Sequence, residues 1–278
     1  MSAHEFTLIV FLVSITAGFL GALTGLGGGI VVTPALTLLL GVDLRYAIGA
    51  SLVSVIATSS GAASAYVRDG LSNIRIGMFL EMATTIGAIC GAFLASKTPT
   101  SALAFLFGLV LLHSAWQVVQ AKKQISRTNE EDPIADRLKL SGVYRAQEGT
   151  IDYHVTRARA GFGLMYVAGV LSGMLGIGSG ALKVIAMDRI MGIPFKVSTA
   201  TSSFMIGVTG VASAAIYLKR GYIHPLIALP VMLGVLGGSM AGARLLPRLP
   251  VKTLRRVFAV AVAVIGIQMI TQGLRGRL

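Results

Sequence analysis

Two stretches of this sequence share an unusual pattern, a glycine cluster followed by a short apolar run. Residues 25–40 read GLGGGIVVTPALTLLL, and residues 176–191 read GIGSGALKVIAMDRIM. We call Gly25 to Gly29 the first glycine break and Gly176 to Gly180 the second. Each run that begins at the last glycine has 12 residues, which form about 18 Å of helix against a hydrocarbon core of about 30 Å. The pattern therefore predicts two half-helices that are entered from glycine breaks.

Both stretches belong to a repeat that covers most of the chain. A shift of 151 residues aligns residues 18–112 with residues 169–263 without a gap. The two glycine breaks coincide under this shift, and so do Ser51 and Ser202. Shared composition explains matched alanines and leucines, but it does not explain an ordered set of glycines, serines, tyrosines and prolines.

The composition indicates an integral membrane protein. Of the 278 residues, 54% are apolar and 13% are charged, with a mean hydropathy of +0.79, whereas about a quarter of the residues in a soluble domain are charged. Residues 6–24, 46–67 and 257–273 contain no charged residue. Because about 20 apolar residues cross a bilayer as a helix, we predict an all-α membrane fold.

The apolar pattern divides the chain into a first transmembrane repeat (1–120), a charged linker (121–159) and a second repeat (160–278). Each repeat has five apolar segments, at 6–26, 29–40, 45–68, 74–95 and 101–120, and at 160–176, 180–191, 196–219, 223–245 and 251–274. If each short segment folds back on its predecessor as a re-entrant pair, three helices per repeat cross the membrane. An odd number of crossings inverts the second repeat relative to the first. The linker is expected to be a solvated connector with some helix.

In a soluble protein, the net charge of +13 would suggest binding to nucleic acid. Here it fits the excess of Lys and Arg that membrane proteins carry on the cytoplasmic side. A cytoplasmic linker places 17 of the 24 Lys and Arg residues inside and six outside. We therefore predict a multi-pass protein of the cell inner (plasma) membrane with both termini outside, and no nucleic-acid partner.

The glycine breaks are the first candidate binding site. Irregular backbone at membrane depth must line a cavity or lie buried in protein, and the free N–H groups at the start of a half-helix suit an anion. The alternative is that the glycines only allow close helix packing. The candidate glycines are Gly25, Gly27, Gly28, Gly29, Gly176, Gly178 and Gly180.

Two ionisable residues lie inside apolar segments. Lys183 follows the second glycine break by three residues, and a buried ammonium group in a membrane is a functional candidate by default. It could contact an anionic substrate, pair with Asp188 or extend to the membrane surface. Glu81 is a candidate for proton coupling, and the alternative is a structural pair with a basic residue.

Hydroxyl residues cluster after each half-helix. They donate hydrogen bonds to oxyanions without a fixed charge, and they also bond back to helix carbonyls. The clusters are Ser51, Ser54, Thr58, Ser59 and Ser60, and Ser198, Thr199, Thr201, Ser202 and Ser203. We select Ser51, Thr201 and Ser202 as substrate-binding candidates, together with Ser179 in the second glycine break.

These motifs resemble the sulfite exporter TauE/SafE family. The resemblance rests on the first glycine break with Pro34, on residues 176–184 and on residues 196–209. Such a resemblance implies a prokaryotic-type inner-membrane transporter, usually described as an exporter, of sulfite, sulfonates, sulfoacetate or thiosulfate. The chain departs from the family pattern at Ser179, where glycine is common, and at Ile185, where proline is common.

We therefore predict a secondary transporter that carries a small sulfur-containing anion between the glycine breaks by alternating access, with ion or potential gradients as the driving force. An anion channel on the same fold is the main alternative, and a membrane-embedded enzyme or a sensor is less favoured. The apolar segments offer only Glu81, Lys183 and His113 as reactive groups, without metal-ligand spacing. We expect no catalytic residue, metal or cofactor. The anion, coupling ion, direction and oligomeric state stay open.

Overall fold

A computed structural model of the protein describes residues 3–24, 27–68, 70–119, 132–146, 149–245 and 251–276. The first half contains α1 (Ala3–Thr24), α2 (Gly29–Pro34), the π-helical segment π1 (Ala35–Leu39), α3 (Leu44–Arg68), α4 (Ile74–Lys97) and α5 (Thr100–Val119). The linker contains α6 (Pro133–Arg137), β1 (Gly142–Ala146) and β2 (Gly149–Tyr153). The second half contains α7 (Ala158–Leu175), α8 (Gly180–Ile185), π2 (Ala186–Ile190), α9 (Phe195–Lys219), α10 (Pro225–Leu245) and α11 (Val251–Leu274).

The two half-helices lie where the sequence predicts them. Each is a short α-helix that continues into a π-helical turn, over residues 29–39 and 180–190. Each ends before a glycine with a left-handed backbone, Gly41 with φ of 66° and Gly192 with φ of 70°. Glycine adopts this conformation without a steric penalty, so the repeated glycine stops both half-helices at the same point.

Five helices among the described residues are long and apolar enough to cross a membrane. They are His4–Ala22, Ile74–Lys97, Ala158–Leu175, Phe195–Lys219 and Pro225–Gly242. Large apolar side chains such as Leu12, Met78 and Leu226 are exposed on the outside of the bundle, whereas polar Ser51 and Lys183 are buried inside it. Lipid covers such outer faces in a membrane, and the protein is therefore a multi-pass, mostly helical membrane protein.

Glycines allow two helix pairs to pack closely, and the contacts recur at the spacing of the sequence repeat. Helix α1 packs on α10, and α4 packs on α7. A Cβ atom on Gly18 would overlap the backbone of Val235, and a Cβ on Gly169 would overlap the backbone of Thr84. The 151-residue shift converts Gly18 into Gly169 and Thr84 into Val235, so the two interfaces are equivalent.

The central pair consists of α3 and α9, which correspond to each other under the same shift. A Cβ on Gly207 would lie 2.6 Å from Ser59 Oγ, and a Cβ on Gly210 would lie 3.1 Å from a side-chain carbon of Ile56. From the first of these contacts to the second, the residue number rises in α9, from 207 to 210, and falls in α3, from 59 to 56. These two helices therefore run antiparallel.

The linker differs from the expectation of a solvated connector. It does contain a short helix, α6, but it also forms an antiparallel hairpin of β1 and β2. Tyr144 and Tyr153 are buried, in one core cluster with Ile76 and Leu80 of α4, whereas Val143 and Asp152 beside them are exposed. The described part of the linker, residues 132–146 and 149–159, is therefore docked on the helix bundle, and the mostly helical fold includes one β-hairpin. Alternation over only five residues per strand is a weak signal in the sequence.

Candidate functional site

The glycine breaks have backbone conformations that favour glycine. Gly27, Gly176 and Gly178 have φ values of 79°, 68° and 71°, in the left-handed region that side chains with a Cβ rarely adopt. The predicted site residue Gly25 lies outside the described residues. Gly28 packs near α10, since a Cβ there would lie 3.1 Å from Val235 Cγ1.

The two breaks meet at Ser51 of α3. The buried Ser51 hydroxyl lies 2.8 Å from the carbonyl oxygen of Gly176 and 3.1 Å from that of Gly29, and it donates to these acceptors. A Cβ on Gly29 would lie 2.6 Å from Ser51 Oγ and 2.9 Å from the Gly176 oxygen. The structure thus brings together three predicted site residues, and only glycine fits at position 29.

Ser202 occupies the equivalent place in the second half. Its buried hydroxyl lies 3.4 Å from the carbonyl oxygen of Gly180, as Ser51 lies near Gly29 in the first half. Both serines therefore bridge the middle of a long helix to the first residue of a half-helix.

Ser179 has a left-handed backbone, with φ of 50°. Such a conformation in a residue other than glycine costs about 1 kcal/mol or more. Its buried hydroxyl donates to the carbonyl oxygen of Ala168 on α7 at 2.6 Å. The hydroxyl proton is thus used within the protein, and the serine ties the second break to α7.

Lys183 is completely buried, with 0% exposure. Its Nζ atom donates to Thr209 Oγ1 at 2.5 Å and lies 3.8 Å from Glu81 Oε2. Of the interactions considered from the sequence, the structure contains neither a pair with Asp188 nor an extension to the surface. The lysine on the half-helix is paired with the deep carboxylate of α4.

Glu81 accepts hydrogen bonds from three threonines. Thr209 Oγ1 lies 2.6 Å from Oε1, Thr85 Oγ1 lies 3.0 Å from Oε1 and Thr84 Oγ1 lies 2.9 Å from Oε2. Because Thr209 Oγ1 accepts a hydrogen bond from Lys183, its own hydroxyl proton is available to Glu81, and the three groups form a chain. We call Lys183, Thr209 and Glu81 the charge cluster. A buried ion pair needs such hydrogen bonds to offset its lost hydration.

These threonines are not among the site residues predicted from the sequence. Thr84 and Thr85 follow Glu81 by three and four residues, the spacing at which helical side chains are neighbours, so a local signal was present. Thr209 is the 151-residue equivalent of Thr58 in the first hydroxyl cluster, but nothing in the sequence pairs it with Lys183.

Thr201, another predicted site residue, contacts the loop before α4. Its buried Oγ1 accepts a hydrogen bond from the backbone N–H of Asn73, at 3.0 Å. Asn73 precedes α4 and also bonds to the linker. Thr201 therefore supports the contact between α9, α4 and the linker.

A small cavity lies beside the first glycine break. Gly27 contributes to its wall together with Thr58, Ser59 and Ser203, and its volume is about 20 Å³, enough for a water molecule. The Ser59 hydroxyl donates to the Ser203 carbonyl across the α3–α9 interface. These three hydroxyl residues belong to the clusters noted in the sequence, but they were not among the selected candidates. No group of three metal-ligating side chains occurs in the part of the chain that the structure describes.

Residues 10–269 match the family described as Sulfite exporter TauE/SafE. The chain belongs to this family. Family members are named as membrane transporters, which points to transport and not to catalysis. No solved structure matches the chain.

Several relatives in this family align with almost the whole chain. One is the probable membrane transporter protein YunE of Bacillus subtilis, 28% identical, with 96% of this chain and 98% of that protein covered. Another is the probable membrane transporter protein YdhB of Bacillus subtilis, 25% identical, with coverage of 95% and 98%. A probable membrane transporter protein of Methanocaldococcus jannaschii is 25% identical, with coverage of 94% of both chains.

Proposed function

We propose that the protein is a secondary transporter, working as an exporter, of small sulfur-containing anions such as sulfite, sulfonates or thiosulfate. The observation that carries this proposal is the meeting of the two glycine breaks at the Ser51 hydroxyl. The second break begins the half-helix that bears the buried Lys183. Interrupted helices that meet in the bundle interior are typical of substrate sites in transporters built from repeats.

The packing of equivalent helices supports an inverted arrangement of the two halves. Helices α3 and α9 correspond under the 151-residue shift and run antiparallel, as inversion requires. The Lys and Arg distribution then favours a cytoplasmic linker, external termini and a position in the cell inner membrane. Movement of one half against the other about this pair would expose the breaks to each side in turn, which is alternating access.

The anion site comprises both glycine breaks, Ser51, Ser202, Ser179 and Lys183. Backbone amides at the start of each half-helix and the Lys183 ammonium supply the positive potential, while the serine oxygens orient the backbone around the site. Thr201 is left out of this proposal, because its hydroxyl accepts a hydrogen bond from the Asn73 N–H in the loop before α4.

The charge cluster suggests how ion coupling arises. Lys183 and Glu81 together are neutral, so an anion that binds Lys183 leaves one uncompensated negative charge inside the protein. Such a charge is expensive at membrane depth, and protonation of Glu81 removes it. We therefore propose that anion binding and proton binding to Glu81 occur together, so that export requires an outward anion gradient that exceeds the inward proton gradient.

A channel on the same fold is the alternative to a carrier. The cavity beside Gly27 has a volume of about 20 Å³, which is too small for a hydrated anion, so either mechanism requires a conformational change that opens the path. A carrier is distinguished by flux that saturates with substrate concentration.

Uptake or release of labelled sulfite, thiosulfate and ethanesulfonate by proteoliposomes tests the proposal. We expect saturable flux that accumulates anion against a gradient. The Lys183→Met variant should lose this flux, whereas Lys219→Met, which removes an exposed lysine, should keep it. Unchanged flux in Lys183→Met would remove the lysine from the site, and non-saturable flux would favour the channel.

A further inference from the structure

A second cavity lies between the linker and the loop before α4. The residues of the charge cluster do not line it. It has a volume of about 300 Å³, and its wall includes Ser72, Arg75, Lys139, Ser141 and Tyr153. This volume is at the lower end of the range for small-molecule sites, about 300–1,000 Å³. We call this cavity the linker vestibule.

The hydroxyl groups in the vestibule have protons without acceptors. Ser72 Oγ is buried and has no hydrogen-bond partner among the described residues. The Tyr153 hydroxyl accepts from Asn73 Nδ2 at 2.8 Å, and Ser141 Oγ accepts from the Val155 N–H at 3.3 Å. Neither of these two oxygens donates to another described group. Burial raises the pKa of the Tyr153 phenol, against the Asn73 hydrogen bond, so this group keeps its proton.

The charges that line the vestibule have one sign. Arg75 and Lys139 are cationic, and none of the described wall residues is acidic. Hydrogen-bond donors left without acceptors in a buried place are unfavourable by about 1–3 kcal/mol each. A cavity whose walls offer two cations and three unused hydroxyl protons is complementary to an oxyanion.

Lys139 occupies a position that normally favours glycine. It follows the end of α6 with φ of 50°, and the bonds from Lys139 N to Asp136 O and from Leu140 N to Ala135 O close the helix end. Glycine is the usual residue at this left-handed position. The lysine therefore adds a charge to the vestibule at some expense in backbone energy.

We propose that the linker vestibule binds a small oxyanion through the ammonium of Lys139, the guanidinium of Arg75 and the hydroxyl protons of Ser72 and Tyr153. The oxyanion is either a free inorganic anion or the phosphate of an anionic lipid headgroup. Its binding joins the linker to the loop before α4. This site is independent of the proposed transport site.

Hydrogen exchange measured by mass spectrometry on the full chain tests the proposal, with sulfate added in neutral detergent. We expect sulfate to slow exchange in the segments 70–76 and 139–146. A parallel comparison uses nanodiscs of phosphatidylcholine with or without phosphatidylglycerol. Protection by sulfate in detergent assigns the site to a free anion, and protection by phosphatidylglycerol alone assigns it to a lipid phosphate.

The Lys139→Gly variant is the decisive one, because glycine suits the backbone at this position and the fold should be at least as stable. Loss of the charge-assisted contact should raise the anion concentration that gives half-maximal protection about tenfold or more. The control variant Lys219→Ala also removes one exposed charge, and it should show the same protection as the wild type. Two results would overturn the proposal. One is the absence of protection by both sulfate and phosphatidylglycerol. The other is a double variant, Lys139→Gly with Ser72→Ala, whose protection depends on anion concentration as in the wild type.

Discussion

Lys183 Nζ lies 3.8 Å from Glu81 Oε2 in the interior of the bundle, and the Thr209 hydroxyl bonds to both groups. The pair joins the half-helix α8 to helix α4, with α9 supplying the threonine. Because α4 belongs to the first half and α8 to the second, this contact links the two halves that move against each other in the proposed transport cycle.

The first prediction concerns the charges of the pair. Glu81→Gln and Lys183→Met each leave one buried charge without its partner, and each should destabilise the protein by about 3–5 kcal/mol. The double variant leaves no charge and should recover most of this stability without recovering transport. Thermal unfolding in detergent, followed by size-exclusion chromatography, measures the effect. Equal stability of the single and double variants would contradict a coupled pair.

The second prediction concerns Ser51. Ser51→Ala removes the hydroxyl that bonds to Gly29 O and Gly176 O, and should destabilise the protein by about 1–3 kcal/mol. Ser54→Ala is the control, because the Ser54 hydroxyl donates to the Ser51 carbonyl of its own helix, at 2.7 Å. It should stay within about 1 kcal/mol of the wild type. Anion flux in proteoliposomes should fall in Ser51→Ala and persist in Ser54→Ala.

The third prediction uses two adjacent glycines of α10. A Cβ on Gly238 would overlap the backbone carbonyl of Ile15 in α1, whereas a Cβ on Gly237 meets nothing within 4 Å. Gly238→Ala should therefore separate α1 from α10 and destabilise the protein by about 1–3 kcal/mol. Gly237→Ala should be neutral or stabilising by up to about 1 kcal/mol, since alanine favours helix. Melting temperatures of the two variants, measured side by side, check this order.

The fourth prediction concerns acid. Burial works to raise the pKa of the Asp132 carboxyl, but the backbone N–H groups of Ala158, Ile134 and Ala135 and the charge of Arg159 outweigh it, and the pKa is lowered from 3.8. Because the pKa is lowered in the folded state, the ionised Asp132 carboxylate contributes its full stabilisation at pH values above the ordinary aspartate pKa. This stabilisation is lost as the pH falls through the folded-state pKa. Acid should therefore loosen the linker.

Pepsin digestion in detergent measures this loosening, with rates normalised to an unfolded substrate. Cleavage in the linker should accelerate as the pH drops below about 4. Asp132→Ala should be cut rapidly even above that pH. Asp152→Ala, which changes an exposed carboxylate of β2, should behave as the wild type, and equal cleavage of both variants would contradict the role of Asp132.

Local patterns were sufficient to predict the half-helices and the helix boundaries. The glycine breaks, Gly41 and Gly192 mark backbone conformations that depend on single residues, so they can be identified without knowing the neighbours in space. The hairpin of the linker was missed, because two strands of five residues bury tyrosines only against α4, and that contact is not visible in a local pattern.

The sequence by itself determined a membrane protein of two similar halves, the places where its helices break and the family to which it belongs, since hydropathy, glycine and repetition act locally along the chain. Only the tertiary structure decided that Lys183 pairs with Glu81 and not with Asp188, that Ser51 joins both glycine breaks, and that Thr201 serves the linker. These contacts join residues on different helices, and their partners are selected by packing and by the need to satisfy buried charges and hydrogen bonds.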